Sequence, residues 1–240
     1  MLILAFDTTS EKGGVGIFRD AESLAWVPNE GPANRYSITL FEMVDEALAR
    51  AHMELREIEL YAVANGPGSF TGIRVGLAAA RAWGKAFDRR VRGISVLEAM
   101  VNKAQVTSDW AFPILDARRG EFFLGSFLRK PSQPSSGAQP DYEPADGGWV
   151  LKPESLRTFV EERVTNSASA TCLVRAHDQA AADLRASLPA SLNWQQVEGA
   201  LVDSIADIAR KEEQASRPSP EAKLDAYYIR RPDAEINWKD

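Results

Sequence analysis

Two stretches far apart in the chain share one pattern: "LILAFDTTSEKGGVGIF" from Leu2 and "WAFPILDARRGEFFLGSF" from Trp110. Each is an apolar run that stops at an aspartate, Asp7 or Asp116, passes through a short glycine-containing turn and resumes as an apolar strand. Short continuous apolar runs suit strands buried on both faces, and the turn makes each pair a hairpin. Hairpins are common enough for two to match by coincidence. Taken as a repeat, they point to two related halves that each open with a hairpin.

The rest of the pattern alternates. Val15 to Phe18 and Leu24 to Val27 read as strands; from Ser37 the period becomes helical, with Ile38, Phe41, Val44 and Leu48 on one face. Leu60 to Ala64 is the next strand, followed by a glycine-rich turn, a helix from about Thr71 to Phe87 and a strand from Val91 to Ile94. "SVLE", Ser95 to Glu98, is a capping box that starts a helix at Val96. This order predicts an α/β layer with an antiparallel hairpin at its front. Further on, Thr171 to Val174 and Trp194 to Val197 read as strands, Leu201, Ile205 and Ile208 as one helix, and "AYYIR" from Ala226 as a last extended segment. Arg129 to Gly148 is rich in Pro, Ser and Gly and is expected to be an exposed, mobile hairpin extension without a core. The halves divide as 1–107 and 108–240, with the last segment free to pack back on the first half.

A length of 240 residues suffices for one large domain or two small ones. The net charge of −6 argues against gripping nucleic acid alone, though not against a partner that supplies a basic surface. Cys172 is the only cysteine, so no intrachain disulfide forms, as in a reducing compartment. "MLILAFDTTS" has no basic n-region and its apolar run ends at Asp7, too short for a signal peptide or a membrane span; a cytoplasmic location is expected.

"NGPGSFTGIRVG", Asn65 to Gly76, invites reading as a phosphate loop. It has no Gly-Lys-Ser/Thr ending, misses the dinucleotide fingerprint by one residue, and Pro67 removes a donor. It still feeds a helix N-terminus, which favours anions, so an anion site and a plain tight turn both stay open. In the helix that follows, Gly72, Gly76, Ala80 and Gly84 form one side-chain-poor stripe. Each glycine costs roughly 1 kcal/mol of helix propensity against alanine, offset by close approach of a second backbone. That backbone belongs either to the chain's own sheet or to another chain. Arg74, Arg81 and Lys85 form a basic stripe on the same helix, a solvated face or a contact with a partner or RNA. Asp7 and Asp116 are placed to hold Mg²⁺ or simply to form turns. His52 and His177 have no partner at ligand spacing, and no serine sits in a Gly-x-Ser-x-Gly elbow.

With "LAFDTTS", "NGPGSFTGIRVG" and its helix, "DARRGE" and "AYYIRRPDAEINWK" in this order across some 230 residues, the chain resembles the TsaB (YeaZ) family, which serves threonylcarbamoyladenosine synthesis in tRNA. The resemblance implies an α/β fold of two related actin-like halves, of the sugar kinase and heat-shock ATPase type, each a mixed sheet opening with a β-hairpin and flanked by helices. It implies a non-catalytic partner that pairs with and stabilises TsaD, the metal-bearing paralogue, joined by the ATPase TsaE, beside the anticodon of ANN-decoding tRNAs. It implies no catalytic residue, no metal and no cofactor of its own, ATP or ADP and Mg only in the complex, a homodimer when alone, tRNA only through the complex, and no membrane. Pairing uses the first two helices, which places Arg35, Ile38, Phe41, Gly72, Arg74, Gly76, Ala80, Trp83 and Gly84 at the interface. The residues that face an anion or nucleotide in this fold fall at Asp7, Thr8, Thr9, Gly66, Gly68, Ser69, Asp116, Arg118 and Glu121. Arg35 and Tyr36 stand where the family often has one histidine, and the histidine pair of the metal-bearing paralogue is absent. Arg175, Ala176 and His177 replace a glycine-rich turn that helps seat a nucleotide in this fold. Two other readings stay open: an ATP-dependent phosphotransferase using Asp7 and Asp116, and a glycoprotease-type metallopeptidase.

Overall fold

The computed structural model describes residues 1–32, 35–131, 140–164, 169–189, 192–215, 224–227 and 229. They fall into two compact units, Met1–Ala99 with Gly199–Asp240, and Met100–Glu198.

In the first unit, strands β1 (Leu2–Asp7), β2 (Gly14–Arg19), β3 (Glu22–Pro28), β4 (Leu60–Gly66) and β5 (Arg90–Ser95) form one sheet in the order β3-β2-β1-β4-β5. The β1–β2 and β2–β3 pairs are antiparallel, and β1–β4 and β4–β5 parallel. All six residues of β1 are buried, as its unbroken apolar run predicts for a central strand covered on both sides. Leu4, Phe6, Val15 and Ile17 join the core under helices α1 (Tyr36–Ala51) and α2 (Phe70–Phe87). On the other face Gly16, paired with Ala5, lies against Phe18 and against Val202 of the last helix.

The second unit repeats the order. Strands β6 (Trp110–Asp116), β7 (Phe122–Leu124), β10 (Trp149–Leu151), β11 (Ala170–Arg175) and β12 (Asn193–Gln196) run β10-β7-β6-β11-β12. This five-strand path matches the first sheet, with an antiparallel front and a parallel back, and two further strands extend the second sheet from β6. Helices α4 (Pro153–Arg163) and α5 (Asp178–Ser187) occupy the places of α1 and α2. Neither stood out in the sequence: only Leu156 and Val160 of α4 and Leu184 of α5 are buried, too few to show a helical period.

Several boundaries differ from the sequence reading. Helix α3 (Val96–Ala104) begins at Val96 as expected, but the division between units falls inside it rather than at 107/108. Helix α6 (Val202–Gln214) belongs to the first unit, not to a second half running 108–240. Val202, Ile205, Ala206 and Ala209 are buried there. At its end Arg92 of β5, 3% exposed, donates to Glu213 at 2.7 and 3.1 Å, with Arg90 also paired to Glu213. In α1 the buried face is Tyr36, Leu40, Met43, Val44, Ala47 and Leu48, not the Ile38–Phe41–Val44–Leu48 line. The Tyr36 hydroxyl donates to the Ser10 carbonyl at 3.0 Å and fixes the phase of the helix, turning Ile38 and Phe41 outward. Of the segment 129–148, β8 (Phe127–Arg129) pairs with β9 (Tyr142–Pro144) as a hairpin, anchored by Tyr142, whose hydroxyl donates to the Ser108 carbonyl at 2.5 Å. Residues 132–139, and 228 and 230–239 of the tail "AYYIRRPDAEINWK", lie outside the described residues.

Candidate functional site

The first-unit residues expected to face an anion do come together. At the end of β1 Asp7 is fully buried; its Oδ1 accepts from the Thr9 N–H at 2.8 Å and the Thr9 hydroxyl at 2.6 Å. The Thr8 hydroxyl donates to the Gly72 carbonyl at 2.7 Å, and Ser69 N–H donates to the Thr9 carbonyl at 2.7 Å. These bonds lash the turn after β1 to the β4–α2 turn, where Gly66 (φ 115°) holds a conformation that glycine adopts without strain. The Ser69 hydroxyl caps α2 by accepting from Gly72 N–H at 3.3 Å. The Thr9 N–H and hydroxyl and the Ser69 N–H, donors an anion could use, are thus committed within the chain. Asp7 Oδ2 is buried without a hydrogen-bond partner.

The stripe on α2 faces inward, which corrects its reading as a contact between chains. A Cβ at Gly72 would overlap the Thr8 carbonyl; one at Gly76 would lie 2.5 Å from Thr8 Oγ1 and 3.2 Å from Val63; one at Gly84 would lie 2.5 Å from Val91. Ala80 is wholly buried. The second backbone that justifies the glycines is the chain's own sheet. Trp83 is also internal: its ring meets Phe6 and Tyr61 of the sheet and Phe41 of α1 at 5.8, 5.9 and 5.8 Å. Burial pushes the Tyr61 phenol up to about 12.

What these helices leave outside is a different set. Ile38 and Phe41 are 61% and 53% exposed, two of only four exposed large hydrophobics among the described residues. Arg35 is exposed at the head of α1, and Arg74 and Ala78 are exposed on α2. The Arg74 guanidinium lies 3.8 Å over the Phe70 ring, and Arg81 is engaged by Leu224 and Asp225.

Asp116, Arg118 and Glu121 belong to the second unit, and Asp7 to the first. Asp116 Oδ1 accepts from Arg118 N–H at 2.6 Å, and Ala117 N–H donates to the Glu121 carbonyl at 2.9 Å. Arg118, Arg119 and Gly120 are all left-handed (φ 63°, 60°, 75°) and exposed. At the end of β11 Arg175 is buried, and after the strand His177 is the N-cap position of α5. His52 ends α1 in a left-handed C-cap, the capping role its position suggests. Among the described residues no group of three His, Cys, Asp or Glu could hold a metal ion, and no helix is long and apolar enough to cross a membrane. Sequence reasoning missed Tyr36, Asp225 and Tyr227; only the tyrosine at the head of an apolar helical face carried a local signal.

Residues 27–133 match the family model described as TsaD, tRNA N6-adenosine threonylcarbamoyltransferase. The tRNA threonylcarbamoyladenosine biosynthesis protein TsaB of Bacillus subtilis is 29% identical over 54% of this chain and 56% of its own length. The TsaB protein of Escherichia coli is 28% identical over 68% of this chain and 67% of its own. An uncharacterized protein of Mycobacterium bovis is 27% identical over 97% of this chain and 93% of its own. The chain spans only 55–61% of the length of the Bacillus, Buchnera and Haemophilus TsaB proteins it matches. In fold, YeaZ from Pseudomonas aeruginosa superposes with a TM-score of 0.71 at 19% identity, covering 95% of this chain and all of that one.

Proposed function

We propose that the chain is a member of the TsaB (YeaZ) family, whose proteins it resembles, and that it is a non-catalytic scaffold subunit in bacterial threonylcarbamoyladenosine synthesis on tRNA. In this role it pairs with and stabilises TsaD, with TsaE joining the pair, beside the anticodon of ANN-decoding tRNAs. It is cytoplasmic, forms a homodimer when alone and meets tRNA only through the complex. It has no cofactor of its own; ATP or ADP and Mg belong to the complex.

The observation that carries this reading is the exposure of Ile38 and Phe41 on α1 next to α2. Covering a large apolar side chain contributes roughly 1.5–3 kcal/mol. Paired apolar residues on one helix face are what a protein partner removes from water. Arg35, exposed at the head of the same helix, supplies a polar edge. Mixing the protein with its own TsaD and TsaE should give a complex and modified tRNA, and Ile38→Asp with Phe41→Asp should leave a folded chain that forms neither. A wild-type chain that binds no TsaD sinks the proposal.

A second reading draws on the unpartnered Oδ2 of Asp7: a phosphotransferase in which that carboxylate meets a magnesium–phosphate group. ATP turnover by the purified chain above an Asp7→Asn control would favour it. Turnover equal to the control removes it.

A further inference from the structure

Leu224 to Tyr227 lie along one flank of α2. Leu224 and Ala226 are half-buried against the first unit's core, whereas Asp225 and Tyr227 are exposed. Arg81 donates to the Leu224 carbonyl at 2.8 Å and to Asp225 Oδ1 at 2.7 Å. Tyr227 N–H donates to the Asn65 carbonyl at 2.8 Å. The Tyr227 carbonyl lies 2.9 Å from where a Cβ on Gly66 would stand, and the Ile73 side chain 3.0 Å from it. Arg81 and Trp83 are two residues apart, about 200° around a helix. Since Trp83 meets α1 through Phe41, these four residues occupy the opposite flank of α2.

The flank therefore recognises a leucine side chain, an acid directly after it, and a main-chain N–H two residues beyond the acid. Its hold is light. The Arg81 and Asp225 side chains are 49% and 74% exposed, and such ion pairs contribute little. Segments with few buried contacts open without the rest of the fold, and here the strand beneath, β4, is buried throughout. When the segment leaves, the Arg81 side chain, paired with Asp225 while the segment is docked, is released beside the exposed Arg74 and Lys85.

We propose that this flank of α2 is a peptide-docking groove, held in cis by residues 224–227 as a releasable strap and open to an extended partner segment with the same leucine–acid pattern. The charge of the groove selects the acid, and the proposal does not depend on the tRNA reading.

Amide exchange in the full chain tests it. Tyr227 N–H should be protected yet exchange at least tenfold faster than Val63 N–H of β4, and Arg81→Ala should speed Tyr227 about tenfold more while leaving Val63 unchanged. Excess of a capped peptide of residues 222–227 should raise Tyr227 exchange to a plateau, and the same peptide with Asp225→Asn should not. Three results overturn the proposal: Tyr227 exchanging at the rate of Val63, Tyr227 exchanging as an unprotected amide, or indifference to the peptide.

Discussion

The turn after β1 and the turn after β6 occupy the same place in two sheets of the same strand order, and they are built oppositely. The first is sealed: Asp7, Thr8 and Thr9 are buried, lashed to the start of α2, and overlain by an 18-residue helix whose glycines let it sit down on the sheet. The second stands open, with three consecutive left-handed residues, two of them arginines, in water. Its counterpart of α2 is ten residues long and buries one leucine. A duplicated topology thus fixes where strands and helices go, while side-chain volume at a few positions decides whether the end of a sheet is packed shut or left accessible.

The contrast is most directly broken at the lock between α6 and β5. Arg92→Ala removes one partner of a buried ion pair and should cost about 3–5 kcal/mol, read as a lowered denaturant midpoint. A loss near that of an exposed arginine would mean that the first unit is less closed than its burial indicates. Next comes the glycine seam: Gly76→Leu should overpack against Thr8 and Val63 and cost on the order of 1–3 kcal/mol. A variant that keeps its stability and loses only a partner would return the stripe to the surface.

In the open turn packing drops out and the backbone alone counts. At Gly120 (φ 75°) an added Cβ would meet nothing within 4 Å, so Gly120→Ala should cost only about 1 kcal/mol, the strain of a left-handed residue. A loss as large as that of Gly76→Leu would show that this turn is held as firmly as the first. The smallest effect concerns one ionisable group of the second unit. Donation from the Ser169 N–H and hydroxyl holds the Asp109 carboxyl below its usual value. Its contribution to stability is therefore present above the unfolded value near 3.8 and lost as the pH falls through the lower folded value. Ser169→Ala should move the Asp109 titration upward, towards that value, in a carboxyl-detected NMR experiment.

Much of this arrangement was legible in the sequence, unevenly and for physical reasons. The Asp7 and Asp116 hairpins announced themselves because a central strand must be apolar on both faces and a hairpin needs its turn residues. The helix α2 was legible from its small-residue period, but not the direction of the stripe, since a smooth face looks the same whichever backbone approaches it. The phase of α1 was misread because Tyr36, with one hydrogen bond to Ser10, outweighs the apolar pull of Ile38 and Phe41. Those two residues, counted at once as core and as interface by their chemistry, are placed by the structure on the outside. The return of α6 to the first unit left no local mark, since it is a long-range contact of an ordinary amphipathic helix.

That return has a consequence for how the protein is made. The sheet face formed by Ile3, Ala5, Gly16 and Phe18 waits for a helix encoded after the whole of the second unit, about 100 residues later. At ribosomal speeds of roughly 5–20 residues per second, that face is uncovered for some seconds while the second unit emerges and folds. During that interval the nascent first unit is an open sheet in search of its last layer, which makes a chaperone's grip most useful before, rather than after, the chain leaves the ribosome.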